Sequence, residues 1–253
     1  MVQRLLTPKW IFTSLLVVAG AALCIRLGFW QLDRLAWRQS FNARVEGQIN
    51  AAPLNLNQDL PVDQLYDMEY RSVTVTGKYD FSQEIILLNQ VNDNRLGVHV
   101  FTPLILDGGG EAILVERGWI PVAESSPQAR RQYIETGPVA VKGVLRRPLE
   151  TPDFGGVANP TLSPGETRLD AWNYINLKQI QAQTTLQLLP VYIQQAPEAT
   201  LTGYPVREVV MPEITEGPHL GYAVQWFSFA TILGVGYPFF LRKQVGRKKE
   251  SES

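Results

Sequence analysis

Apolar residues are massed at the two ends of the chain, and between them they fall in short strand-length runs bounded by turn residues. From Trp10 to Trp30 the sequence reads WIFTSLLVVAGAALCIRLGFW, with Arg26 as its single charge. From Gly221 to Leu241 it reads GYAVQWFSFATILGVGYPFFL, with none. Each run has the ~20 mainly apolar residues that a helix needs to cross a hydrocarbon layer about 30 Å thick. Aromatics gather toward both ends of the second, where side chains that prefer the membrane interface collect. The pattern predicts transmembrane helices at 10–30 and 219–241. It leaves a short N-terminal segment, 1–9, a large central region, 31–218, and a basic tail, 242–253.

The first run has some features of a cleaved signal peptide, since Arg4 and Lys9 give it a basic start and Ala19-Gly20-Ala21 could serve as a cleavage site. Its apolar stretch continues past that site to Trp30, however, whereas signal cores run to about 7–15 residues, so a retained helix is the better reading. Leu23 stands where lipid attachment to Cys24 would want a small residue. Orientation follows from the flanking charges. Arg242, Lys243, Arg247, Lys248 and Lys249 follow the second run, and basic clusters next to a span stay in the cytoplasm. The first run is ambiguous alone, with Arg4 and Lys9 before it and Arg34, Arg38 and Arg44 after it. With two spans and the C-terminus inside, both termini are cytoplasmic and residues 31–218 lie outside.

That central region is long enough for one domain with a sizeable core. Arg71-SVTVTGKYD alternates Val73 and Val75 with Thr74 and Thr76, and Gly77 marks a bend or bulge. EIILLNQV, GVHVFTPLIL, EAILVERGWIPV and VAVKGVLRR follow at hairpin distances, separated by Asn92-Asp93-Asn94, Asp107-Gly108-Gly109-Gly110 and Gly137-Pro138. Helices are expected at 127–134 and 177–188, a strand at Val191-YIQQ, and a loop over 150–166 with Thr151-Pro152, Asn159-Pro160 and Ser163-Pro164-Gly165. The fold class is membrane α+β, with two transmembrane helices flanking an antiparallel β-rich, barrel- or sandwich-like extracytoplasmic domain.

Composition narrows the chemistry. A net charge of −1 and a pI near 6.2 argue against a nucleic-acid partner, which needs a concentrated basic face. The basic tail reads as an orientation signal beside lipid. Cys24 is the only cysteine, and it lies inside an apolar run, so neither an intrachain disulfide nor a thiolate copper site is available. There is no Gly-x-Ser-x-Gly, no phosphate-binding glycine loop and no His-Glu-x-x-His, and an enzyme is not expected. The only histidines are His99 and His219. His99, in GVHVFTPL, reads as a hydrogen-bonded strand residue, with Val98 and Val100 on the opposite face. His219 stands at the outer mouth of the second run, with Tyr222, Ala223, Trp226 and Ala230 following on one helical face. It is either an interfacial histidine among belt aromatics or a ligand. Gly20, Cys24 and Gly28 on one run, and Ala230 and Gly234 on the other, offer small-residue faces for close helix packing. Such packing would bring Trp30 and Gln31 near His219. Arg26 either snorkels to the surface or meets an anionic group such as a haem propionate.

Leu27-Gly28-Phe29-Trp30-Gln31-Leu32-Asp33-Arg34-Leu35-Ala36-Trp37-Arg38 resembles the first-span signature of the Surf1/Shy1 family of cytochrome c oxidase assembly proteins. His219-Leu220-Gly221-Tyr222-Ala223-Val224-Gln225-Trp226-Phe227 resembles its second-span signature. Gly77-Lys78-Tyr79, Thr102-Pro103-Leu104 and Arg117-Gly118-Trp119-Ile120-Pro121 fall between them in the family's order. Where the family often has Asn-Asn before the histidine, this chain has Gly217-Pro218. The resemblance implies an assembly factor for a haem-copper terminal oxidase that aids delivery of haem a to the catalytic subunit. It implies His219 as a haem-iron ligand, with Tyr222, Trp226, Trp30 and Gln31 around the cofactor. It also implies partners in the oxidase catalytic subunit, haem a synthase and membrane lipid. An apolar run starting at Trp10 leaves no room for an Arg-rich mitochondrial presequence, so a bacterial plasma membrane is the expected home. The competing reading is a membrane-anchored scaffold that binds oxidase subunits through its β domain and never handles cofactor.

Overall fold

The computed structural model describes residues 7–163, 165–200 and 202–250, with side chains through residue 243. Residues 1–6 with Arg4, Pro164, the last three residues, and the side chains of Arg247, Lys248 and Lys249 lie outside the described set. The chain divides into two units, 1–44 with 213–253, and 45–212.

In the unit 45–212 the expected β-rich runs become strands. These are β1 (Leu54–Asn55), β2 (Ser72–Tyr79), β3 (Ile85–Asn92), β4 (Arg95–Leu106), β5 (Glu111–Pro121), β6 (Pro138–Arg146), β7 (Ala171–Trp172) and β8 (Gln187–Gln195). Five of them close on one another: β2 lies antiparallel to β6, β6 to β8, β5 to β4, and β4 back to β2, while β8 runs parallel to β5. Of the two expected architectures, barrel and sandwich, this is the barrel. Its sheet is mixed rather than wholly antiparallel, because β1 and β7 also pair in parallel, with β2 and β3. The interior is filled from alternate positions, among them Val73, Val75, Leu104, Ile113, Val115, Val141, Val191 and Ile193. Leu114, between two interior residues, points the other way and joins Phe101, Trp172 and Ile180 in a second core outside the barrel wall.

The sharp features have local causes. Asp93 and Asn94 both take positive φ, 47° and 58°, which is the two-residue turn that suits the right-handed twist of the β3–β4 hairpin. At Gly77, where β2 meets β4, a Cβ would lie 2.1 Å from the Ile105 carbonyl oxygen, so only glycine lets the barrel close there. The helix expected at 127–134 is a short 3-10 segment, Ala129–Tyr133. The one expected at 177–188 is α2 (Leu177–Gln181), capped by the Asn176 side chain accepting from the Gln179 N–H. It ends early because the Gln181 side chain donates to the Leu186 carbonyl and accepts from the Leu188 N–H, tying the helix end to the start of β8.

The other unit is a helix pair. α1 runs Pro8–Ile49 and α3 runs His219–Glu250. The apolar stretch 10–30 is thus only the first half of α1, which continues through QLDRLAWRQSFNARVEGQI because no proline interrupts it before Pro53. The helices are antiparallel: Trp10 meets Phe240, the Ser14 and Tyr237 hydroxyls lie 2.9 Å apart, and Phe29 meets Phe227. Shielded positions on α1 recur at Ser14, Val17, Ala21, Cys24, Gly28, Gln31, Leu35, Arg38 and Asn42, and on α3 at His219, Ala223, Trp226, Ala230, Leu233 and Tyr237. Alternate steps of three and four make the seam of two coiled helices. Both helices are long and apolar enough to cross a membrane by length and composition. Phe12, Leu15, Val18, Leu23, Val224, Ile232 and Phe239 point outward and are exposed, unlike the residues of a soluble protein's core helix.

Candidate functional site

Near the start of α3, three features fix an imidazole. Gly217 takes a left-handed φ of 67°, and Pro218 follows it with its carbonyl accepting the first helical bond, from the Tyr222 N–H at 3.1 Å. The Gly-Pro pair therefore turns the chain sharply and opens the helix at His219. A Cβ at Gly217 would stand 3.6 Å from His219 Nε2, an ordinary contact, so it is the left-handed φ that calls for glycine there. The incoming segment is held by α1: Arg38 donates to the Glu213 and Thr215 carbonyls, both at 2.8 Å, and Asn42 Nδ2 donates to the same Thr215 oxygen.

His219 is half-buried, and its Nδ1 lies 2.8 Å from Oε1 of Gln31. An amide oxygen only accepts, so the proton of this bond sits on Nδ1 and the Nε2 lone pair is left available. This is the arrangement by which a histidine is oriented as a metal ligand, with one nitrogen donating and the other presented to the metal. Gln31 is itself buried, at 9% exposure. Its amide stays aimed at the ring because the close helix approach at Gly28 lies one turn away, where a Cβ would be 2.6 Å from the Phe227 ring.

Of the five residues expected at a haem site, the structure joins Gln31 to His219. Trp226 is on the same seam, two turns along α3, and packs edge-on against Phe229 at 5.9 Å. Trp30 and Tyr222 are turned outward, at 46% and 48% exposure. The residue types fit a haem held from one side: one imidazole nitrogen, Nε2 of His219, for iron, and a helix flank bearing the exposed Trp30 and Tyr222 for a macrocycle. Among the described residues no three His, Cys, Asp or Glu side chains gather to hold a metal ion by themselves. His99, as expected for a strand residue, is engaged locally, its Nδ1 lying 2.5 Å from Glu116 Oε1, while Gln194 donates to the same carboxylate.

A second constellation escaped the reading of the sequence. Glu84, 7% exposed, accepts from Thr102 Oγ1 at 2.8 Å, from Arg130 Nε at 2.8 Å and from Arg117 Nη1 at 3.3 Å. Arg130 also grips Asp170 with both Nη groups, and Glu135 is shared by Arg117 and Arg207. Burial opposes the charge on Arg130, but the bonds to Asp170 and Glu84 outweigh it and raise its pKa. Arg117 reaches this interior through a bulge: Phe101 pairs with Glu116 and Val100 with Gly118, leaving Arg117 as the extra residue of β5. Gly118 has φ 128°, and a Cβ there would meet the Val206 carbonyl at 2.4 Å. The sequence signal was present in Arg117-Gly118-Trp119, a glycine directly after a charge inside a β-branched run.

Known proteins can be set beside this geometry. A family model described as the SURF1 family matches residues 18–231. Surfeit locus protein 1 of Rattus norvegicus is 27% identical over 87% of this chain and 72% of its own length. An uncharacterized SURF1-like protein of Mycobacterium tuberculosis is 28% identical over 98% of this chain and 89% of its own. The cytochrome oxidase assembly protein SHY1 of Saccharomyces cerevisiae is 33% identical over 47% of this chain and 30% of its own. With the family match running from the middle of α1 across the barrel and into α3, this chain belongs to the SURF1 family.

Proposed function

We propose that this protein is a membrane-anchored assembly factor for a haem-copper oxidase, and that it holds haem at His219 on the way to the oxidase catalytic subunit. The observation that carries the haem reading is the Gln31–His219 bond. It holds the ring by Nδ1, which carries the proton of that bond, and leaves the Nε2 lone pair out of it. The oxidase reading is supported by the SHY1 relative, a cytochrome oxidase assembly protein, and by membership of its family. A bound haem would supply the redox centre that the oxidase needs. This chain's own residues would hold its iron, border its ring with Tyr222, Trp226 and Trp30, and perform no catalysis. Partners on this reading are the oxidase catalytic subunit, haem a synthase and membrane lipid. The setting is a bacterial plasma membrane, with both termini in the cytoplasm and the barrel outside.

The test is haem titration of the purified full-length protein in detergent, read as Soret absorbance per mole. His219→Ala is expected to lose most of the occupancy while keeping wild-type secondary structure. A half-buried ring at a helix start contributes little packing, whereas iron has no substitute ligand nearby. Gln31→Leu should retain a ligand that is no longer oriented, and bind about 10- to 100-fold more weakly. Equal occupancy in His219→Ala and wild type would leave the scaffold reading as the better account.

A further inference from the structure

The buried ion network of the barrel unit is not closed electrically. Arg117, Arg130 and Arg207 each bond a carboxylate, drawn from Glu84, Glu135 and Asp170. Arg168 does not. Its Nη1 donates to the Ser82 carbonyl at 2.9 Å, its Nη2 donates to the Glu84 carbonyl, and its buried Nε has no partner among the described residues. A guanidinium keeps its proton inside a protein, so a full positive charge rests here on neutral acceptors. Burial pulls the Arg168 pKa down, and the neighbouring carboxylates only partly offset that pull. Beside it Arg131 is exposed, and its guanidinium makes no hydrogen bond or ion pair among the described residues.

Both arginines line a cavity of about 500 Å³, together with Ser82 and the apolar side chains of Phe81, Pro127 and Ile134. Glu84 and Asp170 are also in its wall, but their oxygens are taken up by Arg117 and Arg130. The charge left over on this wall is therefore positive. The volume is that of a small-molecule site and exceeds the needs of a bare inorganic ion. A planar guanidinium fork suits two-oxygen acceptors.

We propose that this cavity binds a small organic oxyanion, a phosphate or carboxylate on an apolar body, with Arg168 and Arg131 facing the anionic group and Phe81 and Ile134 facing the body. The site lies wholly in the barrel unit and is independent of the haem reading. The test is calorimetric titration of the full-length protein in detergent with phenyl phosphate, benzoate, inorganic phosphate and phenol. Saturable binding of phenyl phosphate or benzoate is expected, with whichever binds tighter identifying the anionic group. Inorganic phosphate should bind more weakly, and phenol not at all. Arg131→Ala, at an exposed position, should keep the wild-type unfolding temperature and weaken binding about tenfold, the scale of one lost charged partner. Arg168→Gln should weaken it further. Absence of saturable binding by either aromatic anion, or wild-type affinity in Arg131→Ala, would overturn the proposal.

Discussion

Individual side chains in the barrel interior show how burial sets chemistry. Glu84 is shared by Arg117 and Arg130, and Glu135 and Asp170 complete their pairing, since an unpaired buried charge costs several kcal/mol. Arg117, fully buried, also lies over the rings of Tyr79 and Phe81, at 5.1 and 5.0 Å. Tyr79 is 5% exposed, and its hydroxyl reaches Gln195 Oε1 only at 3.5 Å. Burial pushes the Tyr79 pKa well above its ordinary 10.0, and the nearby Arg117 charge only partly opposes this. The folded protein therefore keeps a proton that the unfolded chain releases above about pH 10. Stability from this group is complete below that pH and is lost as pH rises toward the folded value. Tyr79→Phe is expected to cost about 1 kcal/mol at pH 7, because it removes the long hydrogen bond to Gln195 and the hydroxyl's interaction with Arg117. It should also flatten the fall of stability above pH 10. Urea unfolding midpoints at pH 7 to 11 would check this, and an alkaline slope equal to wild type would contradict it.

At the scale of elements, the helix pair separates small residues that matter from small residues that do not. Gly28 and Gly234 look equivalent in sequence, each part of a four-residue spacing of small side chains. A Cβ at Gly28 would press into the Phe227 ring, whereas one at Gly234 meets nothing within 4 Å. Gly28→Leu is therefore expected to destabilise the pair by about 1–3 kcal/mol, while Gly234→Leu should be near neutral, with denaturation in mixed micelles as the measurement. Equal effects would refute the seam described above. The contrast shows where the sequence was legible. A period of two exposed β2, short β-branched runs between turn residues exposed β3 to β6, and Asp93-Asn94 and Gly77 marked the turns and corners, because each signal is local. Barrel closure was not visible, since the β2–β4 contact and the parallel β5–β8 pairing depend on strands distant in sequence. The same holds for the ion network: Glu84, Arg117, Arg130 and Asp170 look like ordinary surface charges until a bulge and a sheet edge bring them together. The Gln31–His219 pair was half legible, because small-residue spacing pointed to helix contact but gave no register.

For the molecule as a whole, the remaining question is how the chain sits across a bilayer. The charges after the first apolar run left its orientation ambiguous, and the structure gives those arginines local tasks. Arg38 holds the carbonyls of Glu213 and Thr215, while Arg34 lies over Trp37 and Arg44 over Phe41. They are therefore weaker evidence about orientation than the basic residues that follow the apolar part of α3. Because Trp10 pairs with Phe240 at one end and Gln31 with His219 at the other, the two apolar stretches run in opposite directions. If they span the bilayer, the start of α1 and the end of α3 must share a side. On the positive-inside bias, the cluster from Arg242 to Lys249 would put that side in the cytoplasm. Alkaline phosphatase inserted in the Asp107–Gly110 turn, between β4 and β5, should then be active, and the same enzyme fused after Ser253 should be inactive. Green fluorescent protein should give the reverse. Because one reporter is active only outside and the other folds only inside, the two readouts are complementary at each site. Phosphatase activity from the C-terminal fusion, with a dark fluorescent fusion at the same point, would invert the arrangement and put His219 at the cytoplasmic face.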